Sequence, residues 1–301
     1  MSDIVAKLNH DYGMLHYIAS FLLIFVCSFS YGQSDEFLEM EVLAESGDVE
    51  AQFDLAYMYA NGNEVPKNDK TALKWYTKAA EQGHNLAQFN LGIRYANGKG
   101  VRRNYKTAVK WYTKAAEQGY ASAQFNLGLM YDKSEGVTQN YKTAVKWYTK
   151  AAEQGAANAQ INLGNMYSSG RGVTQNYKTA VKWFTKAAEQ EYAVAQFILG
   201  LMYDNGEGVR RNYKTAVKWY TKAAEQGHNL AQFNLGVKYA NGEGVRSNKV
   251  KAHMWFNLAA FNGYEDAAEG KDIIGKQMTN KQIGRAQDLS EQCLANSYKD
   301  C

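Results

Sequence analysis

The chain of 301 residues contains one proline, Pro66, and three cysteines, Cys27, Cys293 and Cys301. A single proline excludes a proline-rich linker or collagen-like segment. It suits a mainly helical chain, because proline inside a helix costs about 3 kcal/mol. Three cysteines are too few for a disulfide framework or a four-thiolate zinc site. Cys293 and Cys301 stand eight residues apart in the last segment of the sequence. In an oxidising compartment they are expected to pair, the competing reading being two free thiols. Catalytic signatures are absent as well: there is no Gly-x-Ser-x-Gly, His-Glu-x-x-His, phosphate loop or Cys–His pairing. His84 and His228 occupy one register four units apart, too distant to share a metal or a proton, and His253 stands alone. No catalytic, cofactor-binding or metal-binding residues are therefore expected, nor any small-molecule substrate; the chain reads as a non-enzyme.

Charge is missing from Gly13 to Ser34, where Tyr17–Phe29 is nearly all apolar and Ser30 and Gly32 precede Gln33. A short apolar core with small residues at its exit has the form of a secretory signal peptide. Residues 1–32 are expected to be that peptide, giving a periplasmic or secreted product. The alternative is a retained N-terminal anchor with the chain facing the periplasm, although the core is shorter than the about 20 residues that a spanning helix needs.

What the chain has in abundance is repetition. Ala51-Gln52-Phe53 returns at Ala87, Ala123, Ala159, Ala195 and Ala231, always 36 residues apart. Tyr105–Gln118, Tyr141–Gln154 and Tyr213–Gln226 are the same fourteen residues. A fixed period of this size signals a solenoid. Six units follow: 51–86, 87–122, 123–158, 159–194, 195–230 and 231–266.

Each unit reads as two antiparallel helices. In the second, helix A ends near Asn97, before Gly98-Lys99-Gly100-Val101, and Asn104 caps helix B, which runs from Tyr105 until Gly119 stops it. Leu91 and Tyr95, with Gly92 beside them, and Ala108, Trp111, Tyr112, Ala115 and Ala116 supply apolar faces at helical spacing. Stacking of neighbouring pairs buries them, so the Trp and Tyr columns read as core.

The pattern Ala-Gln-Phe-Asn-Leu-Gly-x-x-Tyr-x-x-Gly-x-Gly-Val, followed by Lys-Thr-Ala-x-Lys-Trp-Tyr-x-Lys-Ala-Ala-Glu-Gln-Gly, resembles the Sel-one-like repeat family, relatives of tetratricopeptide repeats. The resemblance implies an all-α fold: a right-handed α-α superhelix, or solenoid, of six 36-residue helix-turn-helix repeats. It also implies a protein-interaction scaffold, often in bacterial envelope, signalling or host-contact roles.

Residues 33–50 and 267–301 read as capping segments, with Thr279 opening the closing helix. Glu64, Ser134 and Glu191 replace turn glycines, and each is expected to cost about 1 kcal/mol or to change its turn. Charge is uneven: residues 1–50 carry −8 and the six units together +12. Lys106, Lys110 and Lys114, with equivalents in four other units, form a stripe on helix B. That stripe reads as a solvated outer face. The competing reading is a surface for an anionic envelope component such as polysaccharide. Lysine in place of arginine, together with export, argues against nucleic acid.

If Leu91 points inward, positions 89, 93 and 96 lie on the other side of helix A, which by resemblance lines a concave groove. The partner-binding face expected there comprises Phe89, Asn90, Ile93, Arg94, Phe125, Asn126, Leu129, Asp132, Asn162, Asn165, Ser168, Leu201, Asp204, Asn234 and Val237. Its expected guest is a protein or extended peptide. The repeated Asn residues either hydrogen-bond that guest or bond within the helix pair.

Overall fold

The computed structural model describes residues 34–299 and 301. The leader expected over 1–32 lies outside the described residues. These contain fifteen helices and no strand. Helix α1 (Asp35–Ser46) precedes six pairs: α2 (Val49–Asn61) with α3 (Asp69–Glu81), α4 (Asn85–Asn97) with α5 (Tyr105–Glu117), α6 (Ala121–Lys133) with α7 (Tyr141–Glu153), α8 (Ala157–Ser169) with α9 (Tyr177–Glu189), α10 (Ala193–Asn205) with α11 (Tyr213–Ala224), and α12 (Asn229–Asn241) with α13 (Lys249–Phe261). Helices α14 (Asp266–Gly275) and α15 (Asn280–Ala295) follow. The chain forms two compact units, one from α1 to Ala123 with residues 135–138, the other holding 124–134 and everything from Gln139 onward. In each, consecutive helices pack on one another, giving an all-α solenoid.

Local chemistry sets the helix ends. The Asn104 side chain accepts the Thr107 amide at 3.0 Å, and Asn140, Asn176 and Asn212 repeat the arrangement. Such a cap contributes about 1 kcal/mol. Gly98, Gly170, Gly206 and Gly242 end the A helices with φ between 73° and 80°. At the last helix, Thr279 and Gln282 form a reciprocal capping box.

Helix packing is governed by small residues. Leu91, Leu127, Leu163, Leu199 and Leu235 are fully buried, as are the alanines at each helix-B end. A Cβ added to Gly200 would come within 2.4 Å of the Tyr220 ring, and Gly92, Gly128, Gly164 and Gly236 crowd the equivalent ring in the same way. These glycines let the ring of helix B lie against the backbone of helix A.

A series of amides, in which buried and more exposed side chains alternate, runs beside this core. In the first unit Gln52 Nε2 donates to Ala44 O, Gln82 Nε2 donates to Gln52 Oε1 at 2.9 Å, Gln88 Nε2 to Ala80 O, and Gln118 Nε2 to Gln88 Oε1 at 2.8 Å. In the second unit the same contacts join Gln154 to Gln124, Gln190 to Gln160, Gln226 to Gln196 and Asn262 to Gln232. Tyr298 closes the series by donating its hydroxyl to Asn262 Oδ1 at 2.7 Å. The left-handed tail around Tyr298 lies beside a Cys293–Cys301 disulfide, with Cα atoms 5.3 Å apart.

The three glycine departures keep their turns: Glu64, Ser134 and Glu191 have φ of 57°, 62° and 63°. The surroundings explain which glycines are replaceable. A Cβ on Gly155, Gly119 or Gly83, the register of Glu191, would meet nothing within 4 Å. By contrast, one on Gly100, Gly136, Gly172, Gly208 or Gly244 would lie 2.2–2.4 Å from the first residue of the preceding helix B. Glu64 occupies this second register in the first repeat, where the preceding helix, α1, begins at Asp35, two residues later in register than the B helices that follow.

Candidate functional site

Along each A helix the inward column is sealed, and the flank beside it stays partly open. Ile93, Leu129, Asn165, Leu201 and Val237 are all half-buried, while Tyr57, in the same column, is 50% exposed. Phe89 and Phe125 are half-buried next to them and pack on the helix-B rings, Phe89 on Tyr112 at 5.9 Å and Phe125 on Tyr148 at 6.0 Å. The second ring beside Phe89 is Tyr120, at 4.9 Å.

The polar residues of this flank mostly hold one another. In the second unit Tyr148 donates to Asp132 Oδ2 at 3.2 Å, Asn162 hydrogen-bonds the Tyr148 hydroxyl, and Arg171 approaches Asp132 at 3.7 Å. Two repeats on, Tyr220 donates to Asp204 at 3.2 Å, Asn234 contacts the Tyr220 hydroxyl, and Lys238 Nζ lies 2.6 Å from Asp204 and 2.7 Å from Glu243. Burial and then the neighbouring Asp raise both tyrosines well above the usual phenol value, so they remain donors. Burial alone would lower Lys238, but hydrogen bonds and charge from Asp204 and Glu243 hold it above its ordinary value. Asn90 donates to Leu86 O within its own helix, and Ser168 to Asn165 O. Asn126 is half-buried.

Arg94 departs from the expectation. It is 5% exposed, bonded to Asp69 Oδ1 at 2.9 Å and lying over the Tyr76 ring at 5.2 Å. Three residues after Leu91, it shares the inward side of the helix. Lys238 occupies the same register and is 6% exposed; the other repeats place Met58, Met130, Met166 and Met202 there. The Tyr76 hydroxyl, desolvated although close to Arg94, is pushed up to about 12.

His84 and His228 each cap the A helix that follows: Nδ1 accepts the amide of Ala87 at 3.1 Å and of Ala231 at 3.3 Å. Their rings stack on Phe53 and Phe197 at 4.6 Å. The helix-B lysines fold over tryptophan: Lys78 lies 3.9 Å from the Trp75 ring centre, and Lys114 and Lys186 each 4.6 Å from Trp111 and Trp183.

The repeated geometry has a family counterpart. The Sel1 repeat model matches residues 49–84, 85–120, 121–155, 157–192, 193–228 and 229–264. The chain belongs to the Sel1 repeat family. These segments begin two residues before the units counted from Ala51, a choice of phase within one cycle. Among solved structures, a protective antigen present in uropathogenic Escherichia coli strains, displaying an SLR fold, is 37% identical to this Sel1 repeat chain with a TM-score of 0.79. The match covers 88% of this chain and 57% of the antigen, so the chain spans little more than half the length of that relative. A Sel1 repeat protein from Oxalobacter formigenes is 34% identical with a TM-score of 0.62, covering 75% of this chain and 97% of its own. No curated protein matches the sequence. Sel1 repeat proteins are generally protein-interaction scaffolds.

Proposed function

We propose that this Sel1 repeat protein is an exported, non-enzymatic scaffold that binds a protein or extended peptide along the open flank of its A helices. One observation carries the reading. Within repeats whose buried Leu and half-buried helix-A Tyr never change, the half-exposed column varies as Tyr57, Ile93, Leu129, Asn165, Leu201 and Val237. A scaffold holds its core constant and spends variation where contact is made. Aliphatic side chains there offer apolar contact, and Asn126 and Asn165 offer amides to a peptide backbone. Export rests on the leader over residues 1–32, and an oxidising compartment would preserve the Cys293–Cys301 bridge. No helix among the described residues is long and apolar enough to cross a membrane.

The lysine stripe is the weaker docking surface, because part of it, Lys78, Lys114 and Lys186, already lies over Trp rings. A pull-down from the native envelope fraction tests the choice. Leu129→Asp with Asn165→Ala should abolish capture of the partner while helical content is unchanged, and wild-type capture should survive raised salt. Capture lost only on multiple Lys→Gln changes in the B helices would overturn the proposal in favour of an anionic envelope ligand.

A further inference from the structure

The first unit has a cavity of about 240 Å³ between α1 and α2, beside the loop that follows α2. Phe37, Met40 and Tyr57 supply apolar wall, and Tyr57 is the most exposed residue of the variable column. Glu36, Asp54 and Glu64 also line it. Elsewhere on the A-helix flanks, carboxylates have their own cations: Asp132 has Arg171 and Asp204 has Lys238. Among the described residues, none of the three cavity carboxylates has a Lys, Arg or His within ion-pair distance. Glu64 accepts only the Ser34 hydroxyl, at 2.8 Å. From Ser34 to Pro66 the sequence holds nine carboxylates and no Lys, Arg or His. Asp54 replaces an Asn that stands at this register in four of the other five repeats. Its carboxyl is raised above the ordinary value by partial burial and then by Glu50, with Asp48 adding and His84 opposing. A cation brought to it would relieve that repulsion.

Resting on the reading of the A-helix flank as a docking surface, we infer that this cavity takes a Lys or Arg side chain from a cationic segment of the partner. The stem of such a side chain fits the Tyr57, Met40 and Phe37 wall, and its head meets carboxylates that lack a counter-charge. The half-exposed Tyr57 ring offers a further cation–π contact over its face.

A labelled, end-blocked hexalysine peptide and its fully acetyl-lysine counterpart, titrated by fluorescence anisotropy against the chain from residue 33 onward, test this. The free-amine peptide should bind at least about tenfold more tightly than the acetylated one, and raised salt should narrow the gap. Asp54→Asn with Glu64→Gln should weaken it about tenfold, and so should Tyr57→Ala, which removes no charge. Asp35→Asn with Glu39→Gln, removing two carboxylates that do not line the cavity, should leave it unchanged. Equal loss in that control, or binding indifferent to Tyr57→Ala, would show a diffuse acidic surface and overturn the inference. Equal affinity for the two peptides would overturn it as well. Leu129→Asp separates the two proposals: native-partner capture lost on Leu129→Asp but indifferent to Asp54→Asn would retire the cationic site and leave the scaffold reading standing.

Discussion

The first and fifth repeats share one register and solve it differently. The first has Ala56, Tyr57, Ala60 and Glu64 where the fifth has Gly200, Leu201, Asp204 and Gly208. Gly208 lies against the backbone of Tyr177, the first residue of the helix B before it, whereas α1, the helix before Glu64, starts two residues later in that register, at Asp35. Asp204 is held by Tyr220 and Lys238, while Ala60 needs no counter-charge. The period therefore fixes the backbone, and the neighbouring unit decides which side chains that backbone accepts.

The largest test of that difference is steric. Gly208→Ala should destabilise the second unit by about 3 kcal/mol or more, since the new Cβ would sit 2.4 Å from backbone atoms at a φ of 70°. Glu64→Gly, in the same register, should stay within about 1 kcal/mol. Denaturant unfolding of both variants measures the gap, and similar costs would break the comparison.

The buried charge comes next. Lys238→Met should cost about 3 kcal/mol, because it strands Asp204, which is largely buried. Asp204→Ala with Lys238→Met removes both charges together and should recover to within about 1 kcal/mol of wild type. A double variant as damaged as the single would show that the pair is not the unit of stability.

Removing one of the buried amides from the series should cost somewhat less. Gln196→Ala removes a buried amide bonded to both Ala188 O and Gln226 Nε2, leaving Gln226 Nε2 only its longer bond to Lys222 O, and should destabilise by about 2 kcal/mol, read by thermal unfolding.

The smallest effect is pH-dependent. His228 is lowered below its ordinary value, chiefly by burial, so the unfolded chain takes up the proton first. Stability is then complete above about pH 6.5 and declines as pH falls through that value toward the folded pKa. Protonation of Nδ1 would also remove the acceptor for the Ala231 amide. His228→Asn, a good cap that does not titrate, should flatten the slope contributed by this residue. An unchanged pH profile would exclude the histidine cap as its source.

Much of the fold is legible in the sequence because its signals are local. The period, the Asn caps and the glycine turns each declare themselves within a few residues, and the helix ends fall within a residue or two of Asn97, Tyr105 and Gly119. Less is visible where function and specificity reside. Arg94 reads as a flank residue until the packing places it beside Asp69, and the histidines read as isolated until each is seen to cap a helix. The amide series joins side chains 30 residues apart, a separation no helical periodicity reports. Its one sequence trace is the pair of glutamine columns, in Ala-Gln-Phe and Glu-Gln-Gly, that recur together. Variation of the half-exposed column can be read from the repeats themselves, whereas the internal pairing of Asp132 and Asp204 cannot.

Site-specific photo-crosslinking in the native cell tests the scaffold reading most directly. A photoreactive residue placed at Leu129 or Leu201, on the A-helix flank, should give one defined protein adduct, and the same residue at Lys146 or Lys218, on the B helices, should give none. Adducts formed only from the B-helix positions would contradict the claim that the open side of the A helices is where the partner docks.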